Sequence, residues 1–460
     1  MAKYVVKFGG SSLADAVQFR KVADIVGSDG RRRYIIPSAP GKRWGADIKV
    51  TDMLYDCYEA IAGGSKKTSE KDCEKEFKPI VERFNGIIAD LGIELSLEEE
   101  YKTIIENFQN RVGSDYAASR GEYLNGIILA KYLNFAFVDA AKVVHFKGNG
   151  KFDEDLTNAT LSSTLEKERY AVIPGFYGAM PDGKIKTFSR GGSDITGSIV
   201  ARAVKASLYE NWTDVPGFLA ADPRIVKTPD VIRVITYREL RELSYMGATV
   251  LHEDSIFPVR AARIPINIRN TNDPSAPGTI ITHNSPEEDN TPIITGIAGR
   301  KNFSVIHIEK DGMNNEIGFL RRILTLFETQ KINFEHIPSG IDTLSIVLCT
   351  SEIEKNPNII RLIEEVARPN HIEAERDLAM IAIVGRGMKE KRGTAGRIFS
   401  ALAHARINIR VIDQGSSELN VIVGVKESDF EEAVRVIYKM FMLSARESNS
   451  CEGEPVEGEK

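Results

Sequence analysis

Lys7, Gly9, Gly10, Ser11 and Ser12 stand in one run behind the apolar stretch Tyr4-Val5-Val6. A strand that ends in glycines and hydroxyl residues and then opens a helix is a good anion receptor. The glycines let backbone N–H groups turn inward, and a helix N-terminus adds partial positive charge. The Lys7 ammonium can reach the same anion. Alone, the stretch supports two readings, a phosphate cradle or a tight strand–helix turn with an exposed lysine. It matches neither a Walker A loop nor a dinucleotide fingerprint. A second run, Ser189-Arg190-Gly191-Gly192-Ser193-Asp194, repeats the pattern behind Ile185-Lys186-Thr187-Phe188. Two such loops suit two anions facing one cleft, the arrangement that phosphoryl transfer between them needs. Ser38 closes the strand-like run ending Tyr34-Ile35-Ile36-Pro37, where open α/β sheets take ligands. Arg224 and Lys227 either meet phosphate oxygens from one face of a turn or stand as two solvated bases.

The elements that must position these residues follow an α/β rhythm. An amphipathic helix with Leu13, Val17, Phe19, Val22 and Ile25 follows the first loop. From about Val50 to Tyr132 the chain reads as a helical excursion, with Phe77, Ile80, Val81, Phe84 and Ile87 at helical spacing and a loop at Gly63–Lys67. Strands are expected at Phe135–Asp139, Ala171–Phe176 and Ile264–Arg269, Ser207–Gly217 reads as a strand leading into a turn, and a helix is expected around Tyr237–Thr249. A Pro- and acid-rich boundary runs from Asn272 to Pro292, with Thr279–Thr282 as a short strand inside it.

The last third holds an internal repeat. Gly312-Met313 matches Gly387-Met388, and the same offset pairs Ile332-Asn333 with Ile407-Asn408 and Gly340 with Gly415. Each copy reads strand, glycine loop, helix, strand, turn, strand, helix, the ferredoxin-like βαββαβ order. Such copies serve as spacers, as a dimerisation platform or as a small-molecule site.

The 460 residues call for two or three domains, and 42% hydrophobic with 27% charged residues is the balance of a soluble globular protein. A formal net charge of −5 argues against general nucleic-acid binding. Four scattered cysteines lack CxxC spacing, the histidines make no metal motif, and no apolar run is long enough to span a membrane. A cytoplasmic protein is expected.

Taken together, KFGGSS (Lys7–Ser12), Gly121-Glu122, SRGGSD (Ser189–Asp194) and WTDVPG…ADPR (Trp212–Arg224) make the chain resemble the aspartokinase family over nearly its whole length. The repeats look like that family's tandem ACT domains. The resemblance implies an α/β amino acid kinase fold, a mostly parallel sheet between helices, followed by two ferredoxin-like βαββαβ modules. It divides the chain into a catalytic domain (1–292), two ACT domains (293–375 and 376–445) and a disordered acidic tail (446–460). It implies transfer of the γ-phosphoryl group of ATP, with Mg²⁺, to the side-chain carboxylate of L-aspartate. No dedicated protein cage for the metal is read from the sequence.

Roles follow from the resemblance. Lys7 neutralises transferring phosphate oxygens, with Phe8 beside it and the Gly9 and Gly10 amides as a cradle. Arg190 clamps a substrate carboxylate and Glu122 holds the ammonium, while Ser38, Thr51 and Ser193 add hydrogen bonds. Asp194 orients Lys7, helps organise the metal, or is merely a helix N-cap. Trp212, Thr213 and Asp214 line the nucleotide pocket, with Asp222, Arg224 and Lys227 near the phosphates. Met313, Gly318, Phe319, Leu320, Asn333 and Glu335 form the effector site, for lysine first and threonine second. The ACT domains suggest a homodimer or a dimer of dimers, without nucleic-acid or membrane partners. A kinase for another acidic metabolite such as glutamate, and an amino-acid sensor with an inactive kinase domain, are the competing readings.

Overall fold

The computed structural model describes residues 2–63, 69–189, 191–248, 251, 253–284, 292–389 and 391–443. The loop expected at Gly63–Lys67, apart from Gly63, lies outside the described residues, as do Arg190 and the acidic tail. Two compact units form, one from 1–218, 233–237 and 250–285, the other from 219–232, 238–249 and 286–460.

The strands of the first unit are β1 (Tyr4–Phe8), β2 (Arg32–Pro37), β3 (Ala136–Phe137), β4 (Ala171–Val172), β5 (Tyr177–Ala179), β6 (Ile185–Thr187), β7 (Leu208–Thr213), β8 (Val234–Thr236), β9 (Ile266–Asn270) and β10 (Thr279–Thr282). Eight of them make one sheet in the order β3-β4-β2-β1-β7-β9-β10-β8, antiparallel only between β9 and β10. Central β1 has Val5, Val6 and Phe8 fully buried, as a parallel strand covered on both faces requires. Its neighbours are β2 on one side and β7 on the other, so its carboxyl end opens at a topological switch point.

The helices are α1 (Ala16–Gly27), α2 (Val50–Ala62), α3 (Glu70–Leu91), α4 (Glu98–Gln109), α5 (Ser114–Leu133), α6 (Glu154–Leu165), α7 (Gly192–Ala203) and α9 (Glu253–Ala261), while α8 (Tyr237–Tyr245) belongs to the second unit from Arg238 on. The helical excursion is α2 to α5. Phe77, Ile80, Phe84 and Ile87 are buried in one cluster with Phe108 and Leu124. Edge-on contacts of Phe108 with Tyr58, Phe77 and Tyr116 fix its interior. α5 is buried on most sides, so it carries little amphipathic signal.

The second unit contains a five-stranded antiparallel sheet, in the order β12-β11-β13-β15-β14, from β11 (Gly296–Glu309), β12 (Thr343–Cys349), β13 (His371–Val384), β14 (Ile409–Asp413) and β15 (Asn420–Lys426). Its helices are α10 (Phe319–Gln330), α11 (Thr350–Lys355), α12 (Ile359–Ala367), α13 (Thr394–His404) and α14 (Phe430–Tyr438). Both ferredoxin-like copies are present, but they are nested. Gly296–Arg300 of β11 pairs with Met380–Val384 of β13, giving the second copy a strand that precedes the first copy in the chain. α14 completes that copy, its Phe430 ring against Gly299, where a Cβ would lie 2.5 Å from a ring carbon. The strand expected at Ile332-Asn333 is reduced to isolated bridges of His336 and Ser339 with β12. Pro338, between them, has no N–H to donate.

Candidate active site

Parallel register puts Lys7 of β1 directly beside Asn211 of β7, so both side chains leave the same face of the sheet. α7 begins over that face. Gly191, in the left-handed region at φ 73°, is its N-cap, and Asp194 follows in the first turn. Asp194 is therefore not the cap. Its Oδ1 lies 2.7 Å from Lys7 Nζ and accepts a hydrogen bond from Asn211 Nδ2 at 2.9 Å. Lys7 Nζ also donates to Asn211 Oδ1 at 3.4 Å. The Tyr209 hydroxyl donates to the Asp194 carbonyl and pins the same turn. With side-chain exposures of 11% and 20%, the Lys7–Asp194 pair is shielded but still reachable from solvent.

Asn211 was not among the residues expected from the sequence. The available signal was Glu210-Asn211, two polar residues in a strand between buried neighbours, against the apolar habit of central parallel strands. Glu210 has a separate task. It takes Arg32 through two hydrogen bonds of 2.7 and 3.1 Å and the Trp212 indole N–H at 3.0 Å.

The first glycine loop works differently from a two-amide cradle. The Gly9 N–H donates to the Trp212 carbonyl at 3.0 Å, so it is engaged within the sheet edge. Gly10 opens a 3-10 turn, Gly10–Leu13, and accepts from the Gly41 N–H at 2.8 Å. A Cβ on Gly10 would lie 2.8 Å from the Ala39 carbonyl oxygen, so this close approach demands glycine. Phe8 and Trp212 are fully buried, stacked on each other at 6.2 Å, with Arg269 over the indole at 4.5 Å. Their side chains belong to the core, and only their backbone reaches the loop. Thr213 is half-buried and Asp214 exposed, joined by a Thr213 Oγ1–Asp214 Oδ1 hydrogen bond.

Beside this loop lies the end of β2. The Ser38 N–H donates to the Phe8 carbonyl at 3.1 Å, joining the two strand ends. α5 passes close by because Gly121 lacks a side chain; a Cβ there would lie 2.7 Å from Ala39 Cβ and would also meet Leu54 and Val50 of α2. Thr51 follows Val50 in the first turn of α2. Glu122 is buried, and burial pushes its carboxyl up to about 8, opposed by hydrogen bonds from the Ala39 and Glu122 backbones and by the Arg120 cation. Its Oε2 has no hydrogen-bond partner among the described residues. Arg120 itself is boxed by the rings of Tyr116, Tyr123 and Tyr177. Ser193 is buried in the first turn of α7 against Gly175.

Thus the structure brings together Lys7, Asp194, Ser38, Glu122 and Ser193 within the first unit. Asp222, Arg224 and Lys227 fall in the second unit. There Arg224 folds onto Asp222, with Nη2–Oδ2 at 2.6 Å, and this hydrogen bonding lowers the Asp222 carboxyl below the usual range.

The residues expected to bind an effector also lie in the second unit. Gly318 is the left-handed N-cap of α10, Leu320 is partly exposed, and Met313 and Phe319 are buried in the core beneath that helix. The Asn333 N–H donates to Glu352 Oε2 at 3.4 Å. Glu335 does not present an open carboxylate. Oε2 accepts the Tyr245 hydroxyl and Oε1 the Cys349 thiol.

A lysine held by an aspartate and an asparagine at a switch point can meet a phosphate oxygen, and on α5 a buried carboxyl with one unpaired oxygen can accept from a cationic group. The model of the amino acid kinase family matches residues 2–270, and an ACT domain model matches 381–441. Aspartokinase 3 of Bacillus subtilis is 39% identical over 95% of this chain and 98% of its own. The structure of Clostridium acetobutylicum aspartate kinase, 51% identical, superposes with a TM-score of 0.85 over 96% of this chain and all of that one. Escherichia coli aspartokinase III, 25% identical, matches over 96% of this chain and all of its own when solved with aspartate and ADP, and over 95% and 99% when solved with lysine and aspartate, at TM-scores of 0.69 and 0.68. The chain belongs to the amino acid kinase family, and within it to the aspartokinases.

Proposed function

We propose that this aspartokinase moves the γ-phosphoryl group of ATP onto the side-chain carboxylate of L-aspartate by alignment and charge neutralisation, using Lys7, held by Asp194 and Asn211, as the principal cation. The observation that carries this reading is the Lys7–Asp194–Asn211 arrangement at the carboxyl end of β1. An ammonium has three donors, and Asp194 and Asn211 engage two, which leaves one for a phosphate oxygen. The nucleophile needs no general base, because a free aspartate side chain titrates near ~3.9 and is ionised at neutral pH. Catalysis then rests on positioning and on cations that meet developing charge. Glu122 takes the substrate ammonium, Arg190 its carboxylate, and Ser38, Thr51 and Ser193 add hydrogen bonds. Gly10, Thr213 and Asp214 border the nucleotide, with Asp222, Arg224 and Lys227 as further candidates for its phosphates.

Mg²⁺ enters with ATP. Phosphate oxygens and water would be among its ligands, and among the described residues no group of three or more His, Cys, Asp or Glu is placed to hold a metal. Lysine is the effector we propose, acting through the ACT unit, by analogy with the lysine complex of the Escherichia coli enzyme. Assembly is proposed as a homodimer or dimer of dimers through the ACT domains, in the cytoplasm. No described helix is long and apolar enough to cross a membrane.

The test is a hydroxylamine trap of the acyl phosphate with MgATP and either L-aspartate or L-glutamate. Aspartyl hydroxamate is expected; none from well-folded protein, or glutamyl hydroxamate instead, sinks the reading.

A further inference from the structure

Glu122 and Asn125 stand one turn apart on α5, on the same face of the helix. Both face the Ser38–Ala39 peptide group. Asn125 Nδ2 donates to the Ser38 carbonyl at 2.7 Å, and the Ala39 N–H, the other end of that peptide, favours the ionised form of the Glu122 carboxyl. The carbonyl also settles the orientation of the amide. Its nitrogen faces Ser38, so Oδ1 points away. Asn125 is fully buried and Glu122 is 6% exposed. Yet Asn125 Oδ1 and Glu122 Oε2 both lack a hydrogen-bond partner among the described residues.

Buried acceptors are paired in the great majority of cases, so two unpaired ones a turn apart on one helix mark a missing donor. One is a potential carboxylate and the other a neutral amide oxygen. A primary ammonium, with three N–H donors and a positive charge, satisfies both at once.

We propose that Asn125 is a second ammonium acceptor in the amino-acid site, sharing the substrate's α-ammonium with Glu122. The inference rests on the aspartate-kinase reading and deepens it, because it assigns the choice of an amino acid over an unsubstituted dicarboxylate to a pair of side chains. A site built to hydrogen-bond a group discriminates against analogues that lack it, since its own buried acceptors are then left unpaired. Succinate keeps both carboxylates of L-aspartate and lacks the ammonium.

The experiment compares full-length wild type with Asn125→Ala, measuring the KM for L-aspartate, the inhibition constant of succinate against L-aspartate, and the KM for ATP. The KM for L-aspartate is expected to rise about tenfold or more, the range for a hydrogen bond to a charged group. The succinate constant should stay within about twofold, and the KM for ATP should not move. Asn125→Ser, with a shorter side chain, serves if the alanine variant does not fold, and should show the same selective loss. A parallel rise for L-aspartate and succinate overturns the proposal, because it means that Asn125 only props the Ser38 peptide. An unchanged KM for L-aspartate also overturns it, because water then fills the gap. Wild-type protein that forms no aspartyl hydroxamate fails the parent reading instead, so the two failures are distinguishable.

Discussion

Asn211 shows how much a single buried amide decides in this protein. It bonds both members of the Lys7–Asp194 pair and so fixes the position of the ammonium. Asn211→Leu keeps the shape and removes both bonds. It should lower kcat by about tenfold or more while changing the KM for L-aspartate little, since a hydrogen bond to a charged group contributes about 1.5–3 kcal/mol. Steady-state kinetics with each substrate varied will show whether the loss lies in kcat. Glu122 carries a different signature. With its carboxyl raised to about 8, the free enzyme holds it neutral at pH 7, whereas an ammonium partner needs it ionised. The kcat/KM for L-aspartate should therefore climb with pH up to about 8 and then level, and Glu122→Gln should flatten that rise. The stability sign is opposite. The folded state holds this proton more tightly than the unfolded state, whose carboxyl stays near 4.5. The contribution of Glu122 is complete below that value and is lost as pH rises through about 8. Thermal melts at pH 5 and pH 8.5 should show a larger fall for wild type than for Glu122→Gln.

At the scale of elements, α5 and the β2 loop act as one piece because a glycine lets them touch. Gly121 faces Ala39, Leu54 and Val50 with no room for a side chain. Gly121→Val would force α5 away from the loop and shift Glu122 and Asn125 relative to Ser38. Overpacking of this kind costs about 1–3 kcal/mol, and the displacement should raise the KM for L-aspartate tenfold or more with a smaller effect on the KM for ATP. Equal effects on both substrates would mean that the helix moved as part of a general loosening. The strand, glycine loop and helix pattern at residues 4–25 was legible because period and punctuation are local. α5 was harder to place, because a helix buried on nearly every side has no polar face to reveal which residues look into the site.

For the whole molecule, the chain matched by the amino acid kinase model is shared between units. Residues 219–232 and 238–249 lie inside the matched span 2–270 yet pack with the ACT modules. Within that second unit, Glu239 is fully buried and paired with Arg386, Glu242 accepts from Asn420, and Tyr245 bonds Glu335. A segment of kinase sequence is thus held by both ACT copies. If an effector acts through this unit, loosening one tie should change its potency and spare catalysis. Tyr245→Phe should shift the half-inhibiting lysine concentration several-fold while the uninhibited kcat stays within about twofold. Inhibition curves that coincide with wild type would remove Tyr245 from the coupling. The nested ACT order was not legible because a repeat offset compares like with like along the chain. It cannot show that the second copy borrows Gly296–Arg300, a strand before the first copy.

By itself the sequence determined the family and the two glycine loops that carry its resemblance. Those properties reside in short local patterns, such as Lys7 to Ser12 and Gly191 to Asp194, whose backbone demands are met within a few residues. Only the tertiary structure decided which partners those residues have. Lys7, Asp194 and Asn211 meet because parallel strands bring distant positions into register, and Ser38, Glu122 and Asn125 meet because Gly121 lets α5 close on the β2 loop. It also withdrew the Trp212 side chain into the core and engaged the Gly9 amide. Burial and hydrogen-bond satisfaction are properties of a packed neighbourhood, and no spacing along the chain contains them.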